Sequence, residues 1–251
     1  MQTDKALQEV YDAQYSDRST EWRELCGRYK AENILSLIKG QSFPSLLECG
    51  AGEGSILKFL DASGQFDKLY ALEISDSGIE QIQKRKIDRL VDVRKFDGYS
   101  IPYPEKFFDL ACCSHVLEHV EHPRLLLREL KRVSAFQVFE VPLDYSVGVD
   151  RNVRNFLAYG HINVFTPSTF KFLLKSEGFE IISEKYSRAT SDVLRFTWQN
   201  QSKPFLGELR LALRPLLNRL RKLQMGADRY NEFACNAYTC LARGTGELKI
   251  F

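Results

Sequence analysis

Three acidic side chains and a run of alternating glycines carry the sharpest chemical signal in this chain. Leu46-Leu47-Glu48-Cys49-Gly50-Ala51-Gly52-Glu53-Gly54 is an apolar stretch that runs into glycine at every second position. Glycine there lets the backbone bend tightly and approach a ligand that a Cβ would push away. Glu48 stands just before the bend, where a carboxylate can hold a cationic amino group through charge-assisted bonding. Glu73 ends Leu69-Tyr70-Ala71-Leu72-Glu73 and is suited to accept both hydroxyls of a ribose; Asp97 follows Phe96, where it can accept from the exocyclic amine of a purine. Three carboxylates and no phosphate cradle point to a cationic nucleoside. A dinucleotide fingerprint would want glycine or alanine where Ser55 stands, and Glu53 would project toward the pyrophosphate. No Gly-Lys-[Ser/Thr] follows, which excludes a P-loop.

With Phe108-Asp109-Leu110-Ala111-Cys112-Cys113-Ser114-His115-Val116-Leu117-Glu118-His119, the set resembles the class I S-adenosylmethionine-dependent methyltransferases of the small-molecule type. That family carries E-x-G-x-G-x-G, a second-strand acid and F-D-x-x-x-x-x-x-V-L-E-H. The likeness covers about residues 46–186, including Gly160-His161-Ile162-Asn163-Val164-Phe165 and Glu177-Gly178-Phe179. It implies S-adenosylmethionine as cofactor, with Glu48, Gly50, Ala51, Gly52 and Gly54 lining its methionine and ribose side. Glu73 would grip the ribose, Ile74 pack on the adenine beside Phe96, Asp97 touch the amine, and Ser114 and His115 complete the set.

His115-Val116-Leu117-Glu118-His119 also matches the H-x-x-E-H pattern of one zinc-peptidase class, which needs the motif inside a helix and a further ligand. Phe107 to Cys113 instead reads as an apolar strand, so His115 falls at its exit. In the methyltransferase reading His115 lies where methyl group and acceptor meet, as general base for a hydroxyl or as a hydrogen-bonding partner of the cofactor or a neighbouring loop. His161, in the loop after the fifth strand, is the second base candidate, or a fixture of that loop. Glu118 and His119 read as structural. Quinone-modifying relatives with E-x-x-E-H at this place take a divalent ion; His115 replaces the first Glu here, and no metal is expected. Tyr145, Asp150, Arg151, Asn155 and Tyr159 would line an acceptor pocket suited to a hydroxylated ring such as a sugar.

Apolar runs at 45–49, 69–74, 91–96, 107–113 and 136–141 read as strands, and 55–60, 78–86 and 123–132 as helices between them. Such alternation calls for a parallel sheet with helices on both faces and a site at the strands' carboxyl ends. A helix opened by Thr166-Pro167-Ser168 and closed by Gly178, then a strand at 179–186 and a last one within 233–242, complete a Rossmann-like α/β fold. The resemblance implies that its seven strands are mostly parallel, with an antiparallel last strand. The expected organisation is a helical cap (1–40, broken near Ser16 to Ser19), the cofactor-binding core (41–188), a basic helical insertion or lid (189–230) and the last strand with its tail (231–251).

At 44% hydrophobic and 27% charged, the 251-residue chain can bury a sizeable core, which excludes global disorder. A net charge of +2 argues against nucleic acid as partner, and six cysteines without C-x-x-C spacing read as reduced thiols. The polar start and the lack of a long apolar run suggest a cytoplasmic address. Positive charge gathers at the end: residues 186–251 hold 11 Lys and Arg against 5 Asp and Glu. There Leu206, Leu209, Leu213, Leu216, Leu220 and Leu223 form a helical stripe, with Pro215 expected to kink the helix or start a second one. The stripe is expected to pack on the domain or a partner subunit, making a homodimer; the runner-up is a peripheral membrane contact or a phosphate-bearing acceptor at the basic face. An O-methylated sugar of a surface-polysaccharide precursor is the favoured small-molecule acceptor, with a quinone, polyketide or amine as alternatives. An NAD-dependent oxidoreductase and a non-catalytic adenosyl-ligand binding module are the rival classes.

Overall fold

Short runs of Leu, Ala, Val, Phe and Cys become the strands of one sheet, and the amphipathic segments between them become the helices that cover it. The computed structural model describes residues 20–145, 149–151, 153, 156, 160–199 and 204–245. In chain order the elements are α1 (Thr20–Leu37), β1 (Ser45–Cys49), α2 (Ser55–Ala62), β2 (Lys68–Glu73), α3 (Asp76–Lys84), β3 (Leu90–Lys95), β4 (Phe108–Ser114), α4 (Pro123–Val133) and β5 (Ser134–Pro142). After a 3-10 turn at Val149–Arg151 come α5 (Pro167–Ser176), β6 (Phe179–Ser187), α6 (Ser191–Gln199), α7 (Pro204–Met225), α8 (Ala227–Ala234) and β7 (Ala237–Gly244).

The seven strands lie in the order β3-β2-β1-β4-β5-β7-β6, all parallel except β7, which is antiparallel to both neighbours. β1 and β4 are buried almost throughout, as parallel strands covered on both faces must be, whereas β3 at the edge is largely accessible. Alternate strand residues feed two cores. Leu46, Leu69 and Leu110 pack with Ala31 and Ile34 of α1, Leu57 and Leu60 of α2 and Ile82 of α3. On the other face, Leu47, Leu72 and Phe139 pack with Leu126 and Leu130 of α4 and Phe170 of α5. The chain winds outward from β1 to β3 on one side and from β4 onward on the other, which opens a crevice at the carboxyl ends of β1 and β4.

Several local details depart from the sequence reading. α1 runs unbroken from Thr20, and the expected break at 16–19 lies outside the described residues. Residues 227–234 are helical, with Tyr230 buried, so the last strand begins at Ala237 rather than near Phe233. Pro215 sits inside α7 without dividing it; its missing N–H falls on the exposed side of the helix. The largest correction is to the packing of the leucine stripe on the domain; the Leu206 side chain lies outside the described residues. Leu209, Leu213, Leu216, Leu217, Leu220 and Leu223 are 44% to 74% exposed, and the inward face of α7 is instead Gly207 and Leu211, with Asn218 partly covered. Polar contacts hold that face: Arg188 donates to Asn218 and, at 2.8 Å, to the Tyr230 hydroxyl. Because β6 is parallel to β5 and β7 runs back between them, α6 to α8 join the two strands at the edge where the other strands' carboxyl ends gather.

Candidate active site at the carboxyl ends of the strands

Beyond Cys49 the chain turns through Gly50, Gly52 and Gly54 at φ of 76°, 57° and 79°, the left-handed region that a Cβ disfavours. A Cβ on Gly50 would stand 2.4 Å from a methyl of Val116, in the loop after β4. The Gly50 and Ala51 N–H groups donate to the Leu72 carbonyl at 2.8 and 2.9 Å, lacing the turn to the end of β2. Glu73 reinforces the lacing: Oε2 accepts from the Gly52 N–H at 2.7 Å, and Oε1 from the Ser75 N–H and hydroxyl at 3.1 and 3.0 Å. Burial raises its pKa. A carboxylate has about four lone-pair sites and three are taken, so Glu73 holds the turn and keeps room for one ribose hydroxyl rather than the two expected from the sequence.

Glu48 is 1% exposed, and its Oε2 has no hydrogen-bond partner among the described residues. Burial pushes its carboxyl up to about 8, against the pull of Lys30 on α1. A buried acceptor of this kind is completed by a cationic donor. Phe96 is buried and Ile74 partly so, and Asp97 Oδ1 accepts from the Tyr99 and Ser100 N–H groups at 2.9 and 2.6 Å. Burial works against the Asp97 charge, but those N–H groups hold its pKa below the ordinary value. The orphaned Glu48 oxygen and the close-set glycine turn thus fit an adenosine that carries a cationic amino group. Glu53 does not project toward a ligand's phosphates as expected. It is buried between Arg23, at 2.8 Å, and Arg85, at 2.7 Å.

A second cluster of polar groups gathers where β4 and β5 end. His115 has φ 56°, rare for a residue with a side chain, and its N–H donates to the Glu140 carbonyl at 2.9 Å. The bend sets the imidazole between two buried acids, Nδ1 3.4 Å from Glu118 Oε1 and Nε2 3.2 Å from Glu140 Oε1. Neither Glu118 oxygen nor His115 Nε2 makes an aligned hydrogen bond among the described residues. Burial opposes every charge here, yet the two acids hold His115 above its ordinary pKa and His115 holds both acids below theirs. Glu140 also accepts from Asn33 at 3.0 Å and Thr239 at 2.8 Å, while Ser114 donates to it at 3.4 Å.

The segment after β5 folds onto this cluster. The Ile162 and Asn163 N–H groups donate to the Glu118 carbonyl at 2.9 Å, and the Asn163 side chain donates to the Leu117 and Val120 carbonyls. His161 is thereby set edge-on to His119, with ring centroids 4.8 Å apart. His161 Nδ1 lies 2.6 Å from Asp144 Oδ2, and His119 Nδ1 lies 3.0 Å from the Gly160 carbonyl. Burial lowers the pKa of His119.

The cofactor residues expected from sequence, Glu48, the glycine turn, Glu73, Ile74, Phe96, Asp97, Ser114 and His115, all lie at or just beyond the carboxyl ends of β1 to β4. His161 joins them through Glu118. Of the expected acceptor residues, Tyr145 is 47% exposed and Asp150 is exposed on the 3-10 turn. The Arg151 side chain, Asn155 and Tyr159 lie outside the described residues. Sequence reasoning missed Asp144, which no local motif ties to His161, and Glu140, whose signal was an acid inside the apolar run Val138-Phe139-Glu140-Val141. It also expected no metal, without joining His161 to Glu118 and His119. Those three offer ligand atoms within 4.8 Å of one another, of types that can hold a divalent ion.

Comparison with known proteins gives the same assignment. The family model for a methyltransferase domain matches residues 19–184. The Burkholderia multivorans ubiquinone/menaquinone biosynthesis C-methyltransferase UbiE is 24% identical over 113 residues, 43% of this chain and 46% of that one, so the match spans about half of that relative. Among solved structures, a SAM-dependent methyltransferase from Archaeoglobus fulgidus superposes with TM-score 0.58 at 19% identity, covering 90% of this chain and 97% of that one. Geranyl diphosphate C-methyltransferase from Streptomyces coelicolor A3(2), in complex with Mg2+, geranyl diphosphate and S-adenosyl-L-homocysteine, superposes with TM-score 0.60 at 11% identity, covering 86% and 78%. At such identities these structures speak for the fold. Because the family model covers most of the sequence, the chain belongs to the class I S-adenosylmethionine-dependent methyltransferases.

Proposed function

We propose that the protein methylates a hydroxyl oxygen of a small molecule in the cytoplasm, with His161 as general base. A sugar unit of a surface-polysaccharide precursor is the acceptor class that the sequence favours. The observation that carries this reading is the 2.6 Å contact between His161 Nδ1 and Asp144. Hydrogen bonding to a carboxylate fixes the tautomer with the proton on Nδ1, so Nε2 bears the lone pair that takes the acceptor's proton. When bound, S-adenosylmethionine supplies an electrophilic methyl group on a sulfonium. The chain's own part is alignment: Glu48 anchors the amino group of the adenosyl ligand and Glu73 its ribose, and the loops after β4 and β5 orient the acceptor for in-line attack.

His115 is the weaker base candidate, since Glu118 and Glu140 favour its protonated form, the form without a lone pair to offer. Its role here is to balance the two buried acids. Methylation at a ring carbon next to a hydroxyl is a second reading, favoured by the likeness to the UbiE relatives; the same base would take the ring hydroxyl's proton. Turnover of labelled S-adenosylmethionine on a panel of sugars and hydroxylated rings tests both, and the position of the new methyl separates them. His161→Ala and Asp144→Asn should each lower kcat by about 10²–10⁴-fold with little change in cofactor binding. Unchanged kcat in both variants removes the base from the mechanism. Tight binding of NADH in place of S-adenosylhomocysteine would overturn the cofactor assignment.

A further inference from the structure

We propose that α7 docks the protein on an anionic membrane surface, its leucines entering the lipid interface and its flanking cations meeting the head groups. At about 100° per residue, Leu209, Leu213, Leu216, Leu217, Leu220 and Leu223 fall within an arc of about 120°. All six are exposed, although the helix already has a separate inward face at Gly207, Leu211 and Asn218. A solvent-facing stripe of this length is not needed to hold the helix in place.

Charge decides what covers it. Arg210 and Arg221 border the stripe on one side and Arg219 on the other; all three are exposed, and none is in a salt bridge among the described residues. The one acid of the helix, Glu208, is paired with Arg195 at 2.9 Å. A second copy seated stripe to stripe would bring these cations against their own counterparts, whereas anionic lipid neutralises them, and long Arg and Lys stems let the charges rise to head-group level as the leucines sink. No helix among the described residues is long and apolar enough to cross a membrane. Contact is therefore in the plane of the interface. Because α6 to α8 sit at the edge of the sheet that holds Glu48, Glu73 and His115, docking would bring the active-site crevice near the lipid.

Flotation with vesicles tests this, using phosphatidylcholine alone or mixed with phosphatidylglycerol, at low and high salt. The full chain should bind the mixed vesicles at least tenfold better than the neutral ones, and high salt should weaken that binding. Each of Arg210→Ala, Arg219→Ala and Arg221→Ala should weaken it about fivefold. The double variant Leu216→Glu, Leu220→Glu should abolish it while keeping the wild-type thermal shift with S-adenosylhomocysteine, which shows that the fold survives. Equal binding to both vesicle types, no binding, or wild-type binding by the leucine variant overturns the proposal. So does a dimer in light scattering that the leucine variant dissolves, which would assign the stripe to a second copy.

Discussion

Glu48 stands where β1 meets the glycine turn, buried and with one oxygen unpartnered, an arrangement that costs stability until a cation arrives. Burial raises its pKa from 4.5 to about 8, so its contribution to stability is complete below the unfolded value and is lost as pH rises through the folded one. A ligand ammonium beside it reverses the preference and expels the proton. Binding of S-adenosylhomocysteine at neutral pH should therefore release protons, measurable by calorimetry in buffers of different ionisation heat, and Glu48→Gln should abolish the release. An unchanged proton count in the variant breaks the pairing. His115 has the complementary task. His115→Ala leaves Glu118 and Glu140 buried without their cation and should cost about 3–5 kcal/mol in urea denaturation near neutral pH. In the wild type, the His115 contribution fades as pH rises through its raised pKa, and that of the two acids fades as pH falls through their lowered ones. The gap between wild type and variant should accordingly close on acidification. Glu48 and Glu73 were legible in the sequence because their meaning lies in adjacency to glycines and strand ends. Glu140 and Asp144 were not, because Asn33, Thr239 and His161 reach them only through the fold.

At the scale of elements, the glycine turn is the part whose backbone leaves least choice. Gly50 combines a left-handed φ with a Cβ direction that ends on Val116. Gly50→Ala should cost on the order of 1–3 kcal/mol and push the loops after β1 and β4 apart. Thermal melts with and without S-adenosylhomocysteine should show both a lower Tm and a smaller ligand shift; a full ligand shift would mean that this turn is not the ligand's seat. α7 teaches the opposite lesson about legibility. Leucine spacing tells which residues share a face, but not whether that face turns inward, and here Gly207, Leu211 and Asn218 took the inner side. The helix at 227–234 was read partly as strand because the apolar residues near 233–242 run on without a break across its end.

Over the whole molecule, alternation of apolar runs with amphipathic segments was enough to foresee a parallel sheet with helices on both faces, and the antiparallel last strand came with the family resemblance. The insertion's place beside the active site was not foreseeable in that way, since it depends on β7 entering the sheet between β5 and β6, against chain order. One guanidinium ties the distant parts together. Arg85, at the end of α3, donates from Nε to the Glu53 carbonyl at 2.5 Å and from Nη2 to the Glu53 carboxylate at 2.7 Å, and its Nη1 reaches Glu24 on α1 at 2.8 Å. Whatever stiffens the turn must then slow the fraying of the first described helix. Protease nicks within 20–37 should become rarer when S-adenosylhomocysteine is added, and in Arg85→Ala the digestion rate should no longer respond to it. Cleavage of α1 thus becomes an outward gauge of an event some way inside the molecule.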